Sequence, residues 1–169
     1  MSLLSPPDPA WAEAAASEIA RWMIRVPGLI EVHHIGSTSV PGLPAKPILD
    51  LLPVFETAEA RDAAREAVEE LGYEWLGAFG LEGRAYCRLT DAETGRRQVH
   101  AHSYPEGHPD ITRHLAFRDA LRENAALRAA YASVKAACAA RFPAGGAAYG
   151  DCKSGWINKT EAIALERRT

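Results

Sequence analysis

The chain has 169 residues, 47% of them hydrophobic and 24% charged, with a formal net charge of −3. This length supports one domain with a substantial core, and the slightly acidic balance supplies no global field to hold a nucleic-acid polymer. No run of about eighteen apolar residues and no signal peptide is visible, so a soluble, cytoplasmic protein without a membrane partner is expected. Three cysteines, Cys87, Cys138 and Cys152, have no metal-type spacing and make an odd count. They predict reduced, partly buried thiols and no disulfide framework.

In chain order, residues 1–7 read as a loose lead. Asp8-Pro9 predicts a helix opening, with an acid at the cap and proline in the first turn. Trp11, Ala15, Ile19, Trp22 and Val26 recur at helical spacing and mark one buried face before Pro27-Gly28 ends the helix. Leu29, Ile30, Val32 and Ile35 then predict a strand running into Gly36. A second strand is expected over about 46–55. Thr57 caps a following helix whose apolar face is Ala60, Ala64, Val68 and Leu71, closed by Gly72. A short strand over 73–75 precedes two longer ones over 82–89 and 96–104, which flank a hairpin loop at 91–95. In the last of these, Gln98, His100 and His102 point one way while Val99 and Ala101 point the other.

From Pro109 onward the chain reads as helical. Phe117, Ala120 and Leu121 mark one face, and Leu127, Ala130, Tyr131, Val134 and Cys138 mark another. A final helix is expected to start near Asp151 and to carry Trp156, Ile157 and Ile163. The order of elements predicts a single α+β domain over 1–169: a mixed β-sheet of about five strands packed with helices, and a helical C-terminal part.

The stretch 33–50 concentrates the chemistry. Gly36 allows close approach to a ligand, and the hydroxyls of Ser37, Thr38 and Ser39 with free N–H groups at a helix start suit a phosphate. An ordinary strand-ending turn is the structural alternative. Asp50 stands alone between Ile48-Leu49 and Leu51-Leu52. A buried ionised carboxylate without a partner is costly, so a cation, a metal or an open sheet edge is expected beside it. Lys46 is placed either to neutralise phosphate or to pair with Asp50. His100 and His102 share a strand face and can converge on one ligand, with His34 as a third candidate. His33, His108 and His114 read as surface or packing residues. Arg118 with Asp119 is a structural ion pair or a phosphate contact, and Lys153 is a further anion-site candidate. Arg84, Arg88, Arg96 and Arg97 form a local basic cluster, either a solvated strand face or a contact for an anionic partner.

The block from His34 through Asp50, the later stretches 114–122 and 131–135, and Tyr149 with Lys153 and Ile157 resemble, in that order, the GrpB family of uncharacterised proteins. The resemblance spans roughly residues 9–165 and implies a nucleotidyltransferase-like fold. In that superfamily a Gly-Ser turn opening a helix holds the terminal phosphates of a nucleotide. The next strand offers two acids, one residue apart, to divalent metal, and a later strand offers a third. Gly36-Ser37 and Asp50 match this pattern, but Leu52 stands at the second acid and the later strand presents His100 and His102. Two-metal transfer chemistry holds its ions about 3.5–4 Å apart with several carboxylates. One Asp with one or two imidazoles is expected to hold a single ion, and imidazole favours zinc, manganese or iron over magnesium. A related domain follows dephospho-CoA kinase in some bacteria, where the resemblance implies a folding-accessory role.

The expected function is binding of a nucleotide or another phosphorylated small molecule with one divalent metal (magnesium, manganese or zinc), extending to transfer of a nucleotidyl or phosphoryl group. Gly36, Ser37, Thr38, Ser39, Lys46, Arg118 and Lys153 are the expected phosphate contacts. Asp50, His100 and His102 are the expected metal ligands, with Asp50 and His102 the catalytic pair. Two rival readings are a catalytically degenerate domain, sensing nucleotides or serving a protein partner, and a His-based metal-dependent hydrolase.

Overall fold

The structure, a computed structural model, describes residues 2–169. Period-two alternation in two central strands sets the architecture. β1 (Leu29–Ile35), β2 (Leu49–Phe55), β3 (Glu74–Trp75), β4 (Ala85–Thr90) and β5 (Arg97–Pro105) form one five-stranded sheet in the order β1-β2-β5-β4-β3. The β2–β5 pair is parallel and the other three pairs are antiparallel, so the sheet is mixed. Leu49, Leu51, Val99 and Ala101 turn to one face. There they join Trp22 and Val26 from α1 (Ala10–Arg25) and its C-terminal end, together with Ala64 and Val68 from the segment of α2 (Ala58–Ala63) and α3 (Arg65–Glu70). The expected stripe on α1 is this packing surface.

On the opposite face, Ile35, Leu52 and Tyr104 pack against Ile111 and Leu115 of α4 (Pro109–Glu123). The chain then adds α5 (Ala125–Arg141) and α6 (Gly146–Glu166). Val40, Leu43, Leu121 and Tyr131 make a separate core there with Phe117 and Trp156. The Tyr131 and Trp156 rings stack at 4.9 Å. No helix among the described residues is long and apolar enough to cross a membrane.

Four local expectations are corrected. Ser5 is tied to Ala45 by two backbone hydrogen bonds of 2.8 and 3.2 Å, so the lead segment is held against the loop before β2. The helix after Thr57 divides at Ala64, whose N–H is shared between the carbonyls of Ala60 and Arg61 at 3.1 and 3.2 Å. The last helix starts at Gly146, ahead of the expected Asp151, because Gly145 makes the chain reversal itself with a φ of 72°. Finally, Cys138 and Cys152 form a disulfide, their Cα atoms 5.9 Å apart across α5 and α6. The pairing depends on how two helices dock, which residue spacing does not encode. Cys87 is free and buried, and burial pushes its thiol up to about 12.

Candidate functional site

Gly36 ends β1 with a φ of 72° and leads into a single 3-10 turn, Ser37–Ser39. A Cβ at Gly36 would stand 2.5 Å from Asp50 Oδ2 and 2.9 Å from Asp50 Cβ. The neighbouring strand's carboxylate is therefore by itself a reason for glycine here. Ile35 is paired with Asp50 across β1 and β2, and Asp50 with His100 across β2 and β5. The pleat then puts His102 on the same face.

Asp50 Oδ1 lies 3.5 Å from His100 Nδ1 and 3.3 Å from His102 Nε2. Burial pushes the Asp50 carboxyl up, but the hydrogen bonds from both imidazoles and their field outweigh it and hold the group below the usual carboxylate range. An acid in an apolar strand thus finds its partners on β5, its neighbour in the sheet although three strands later in sequence. His102 lies against Tyr86 and His114, with ring centroids 5.4 and 5.7 Å away, while His100 lines a cavity with Asp50.

That cavity has a volume of about 200 Å³, and its walls include Ser37, Thr38, Lys46, Lys135, Tyr149 and Lys153. Lys135, on α5, is only 2% exposed, and its ammonium donates to Ser37 Oγ. Burial, with Lys153 and Lys46 nearby, lowers Lys135 from 10.5 to about 7 against the opposing pull of Asp50. Lys153, on α6, falls to about 8 through burial and the Lys46 charge, again opposed by Asp50. Lys46 is lowered by burial against the same carboxylate. Lys46 Nζ and Lys153 Nζ both sit over the Tyr149 ring, 4.7 and 4.2 Å from its centroid. The Tyr149 hydroxyl is buried without a hydrogen-bond partner, and burial raises it to about 12, so it remains a donor at neutral pH.

The fold thus brings together Ser37, Thr38, Lys46, Asp50, His100 and Lys153 from the expected set. Others it uses differently. Ser39 Oγ donates to the Gly36 carbonyl at 2.6 Å and closes the turn. Thr38 Oγ1 is hydrogen-bonded to His34 Nε2 at 2.9 Å, and burial, helped by Arg122, lowers His34 to about 4. Arg118 pairs with Asp119 at 2.8 Å and donates to the His34 carbonyl at 3.2 Å, away from the cavity. Arg122, not singled out in the sequence, donates to the Ser39 carbonyl at 2.8 Å, so α4 holds the turn from behind.

Lys135 and Tyr149 are the residues that the site reading of the sequence missed. A signal for Lys135 exists: Tyr131, Lys135 and Cys138 share the buried face of α5, and an ammonium on such a face requires a counter-charge or a ligand. Tyr149 carries no such chemical mark and stands out only by its place in the C-terminal stretch that resembles the family.

Among the described residues, no three His, Cys, Asp or Glu side chains are grouped so as to hold a metal ion. Leu52, at the place of the second acid, is fully buried with Ile35 and Tyr104 beneath α4. A two-metal centre does not fit this donor set.

A sequence model of the family described as GrpB protein matches residues 3–162. UPF0157 protein YqkA of Bacillus subtilis is 38% identical over 155 residues, covering 91% of this chain but 44% of that protein. The chain therefore spans less than half the length of that relative. A dephospho-CoA kinase of Mycobacterium tuberculosis is 29% identical over 178 residues, with 91% of this chain and 44% of the kinase covered. Among solved structures, the conserved protein GrpB from Enterococcus faecalis superposes with a TM-score of 0.86 at 38% identity, over 98% of both chains. The Cid1 poly(U) polymerase bound to MgATP superposes with a TM-score of 0.56 at 16% identity, over 85% of this chain and 47% of that one. The fold is nucleotidyltransferase-like.

Proposed function

The chain belongs to the GrpB family, and from that premise we propose that it binds the phosphate end of a nucleotide or another phosphorylated small molecule in the cavity beside Ser37. The observation that carries the reading is the Lys135 ammonium. It is buried on a neutral hydroxyl, with Lys46 and Lys153 on the same cavity wall and Asp50 as the one carboxylate facing them. Such an excess of desolvated positive charge is unfavourable until an anion enters. The Ser37 hydroxyl and the Tyr149 hydroxyl supply hydrogen bonds to phosphate oxygens, and the three lysines supply counter-charge. The chemistry favours recognition over group transfer, because Leu52 fills the place where a second acid would position an ion for an attacking oxygen. A nucleotide-sensing domain, with or without a protein partner, is therefore preferred to a transferase or a His-based hydrolase.

Thermal unfolding against nucleoside mono-, di- and triphosphates tests this reading. A ligand at about 100 times its Kd adds roughly 2.7 kcal/mol, enough to raise the midpoint by a few degrees. A rise with at least one phosphate, absent for the matching nucleoside, is expected. A flat response across the panel would overturn the reading.

A further inference from the structure

We propose that this cavity takes its phosphate without a divalent ion, the ammonium groups of Lys46, Lys135 and Lys153 doing together what bound metal does in two-metal enzymes. The inference rests on the phosphate-binding reading above and narrows it to a metal-free phosphate monoester or diphosphate group. Cavity size supports the narrowing. Pockets that enclose a whole small molecule run from about 300 to 1,000 Å³. A space of about 200 Å³ holds the phosphate end and leaves the rest of the ligand outside.

Charge placement is the first argument. The three ammonium groups come from separate segments: the loop before β2, α5 and α6. A divalent cation entering among them would be repelled by every lysine that carries its proton, in a partly desolvated space where repulsion is strongly felt. A phosphate instead draws protons onto the same three groups and meets opposite charges there. The second argument is the commitment of Asp50. Its Oδ1 is shared by His100 and His102, and its Oδ2 lies against Gly36, where even a methyl group would be 2.5 Å away. Metal ligation by Asp50 would require breaking those contacts. Thirdly, Tyr149 lines the same cavity and its hydroxyl is buried without a partner, a free donor that a phosphate oxygen would satisfy. The depressed lysines agree with this arrangement. Entry of an anion stabilises their charged forms, so binding near pH 8 takes up protons, whereas metal binding releases them.

Isothermal titration of the full chain with inorganic pyrophosphate and, separately, ADP decides the matter. Each probe is titrated at pH 8 in EDTA and in magnesium chloride, in two buffers of different ionisation enthalpy. Binding in EDTA with net proton uptake is expected. It should weaken about tenfold or more in Lys135→Met and in the half-buried Lys46→Ala, each checked for an unchanged circular dichroism spectrum. Asp50→Asn should still bind in EDTA. Binding that appears only with magnesium, releases protons and is lost in Asp50→Asn would overturn the metal-free inference while leaving the phosphate reading in place. No binding of either probe under any condition would overturn both.

Discussion

Leu49 and Leu51 on β2 and Val99 and Ala101 on β5 face α1 and the α2–α3 segment, each at most 9% exposed. One residue along the same strands, Asp50, His100 and His102 face the other way. On the first face burial itself is the gain, by about 25 cal/mol per Å² of apolar surface. On the second, burial acts against the groups it covers, lifting the Asp50 carboxyl and depressing the Lys135 and Lys153 ammoniums that oppose it. The polar character does not extend along that whole face. At Leu52 and Tyr104 it becomes core again beneath α4. Several such groups gather at the sheet end where the Ser37 turn, α5 and α6 meet, although burial also depresses His114 on α4 and leaves the Tyr104 hydroxyl unpartnered. Groups held against their preferred solvation in one small region mark a place shaped for a ligand.

The largest effect that separates the two faces is expected on the apolar one. Leu51→Ala should lose about 2–5 kcal/mol in urea unfolding, while the folded protein keeps its pyrophosphate affinity. Reduced affinity in the folded variant would mean the faces are not independent. Next is the disulfide. It joins residues 14 apart, and opening it should lower stability by about 3 kcal/mol on chain entropy. Cys138 follows Lys135 on α5 and Cys152 adjoins Lys153 on α6, so Cys138→Ser should also weaken phosphate binding. Unchanged affinity would detach the lysines from the helix crosslink. Gly36→Ala is expected to destabilise by more than about 1 kcal/mol, since it forces a side chain into a left-handed φ and onto Asp50. The shift of Asp50 should alter the His100 and His102 imidazole signals by NMR; unaltered signals would show that the carboxylate is not seated by the glycine.

Local signals in the sequence reached far into this site. The acid inside an apolar run located Asp50, alternation put His100 and His102 beside it, and the hydroxyl run located the turn. Thr57 accepts the Ala60 N–H at 3.0 Å, as a cap should. What escaped was decided by helix docking. Lys135 reaches Ser37 from far along the chain, Cys138 meets Cys152 only because α5 and α6 lie side by side, and Tyr149 gains meaning only beneath two lysines. Arg118 illustrates the converse. Its type and position suit a phosphate, but the adjacent Asp119 and the His34 carbonyl satisfy it first.

The central claim is that Lys135 is held in the fold at the expense of stability, for an anion. The direct measurement is thermal unfolding of Lys135→Met beside the unaltered protein, without phosphate, from pH 6 to pH 9. Folding lowers the Lys135 pKa from 10.5 to about 7, so the unfolded chain binds the extra proton between those values. The penalty on the folded protein is therefore complete below about pH 7 and shrinks as pH rises towards 10.5. Methionine fills the space without charge, so the variant is expected to be more stable by about 1–4 kcal/mol at pH 6. Its advantage should narrow by pH 9. A variant less stable than the original across the whole range would make Lys135 a structural residue and contradict the claim.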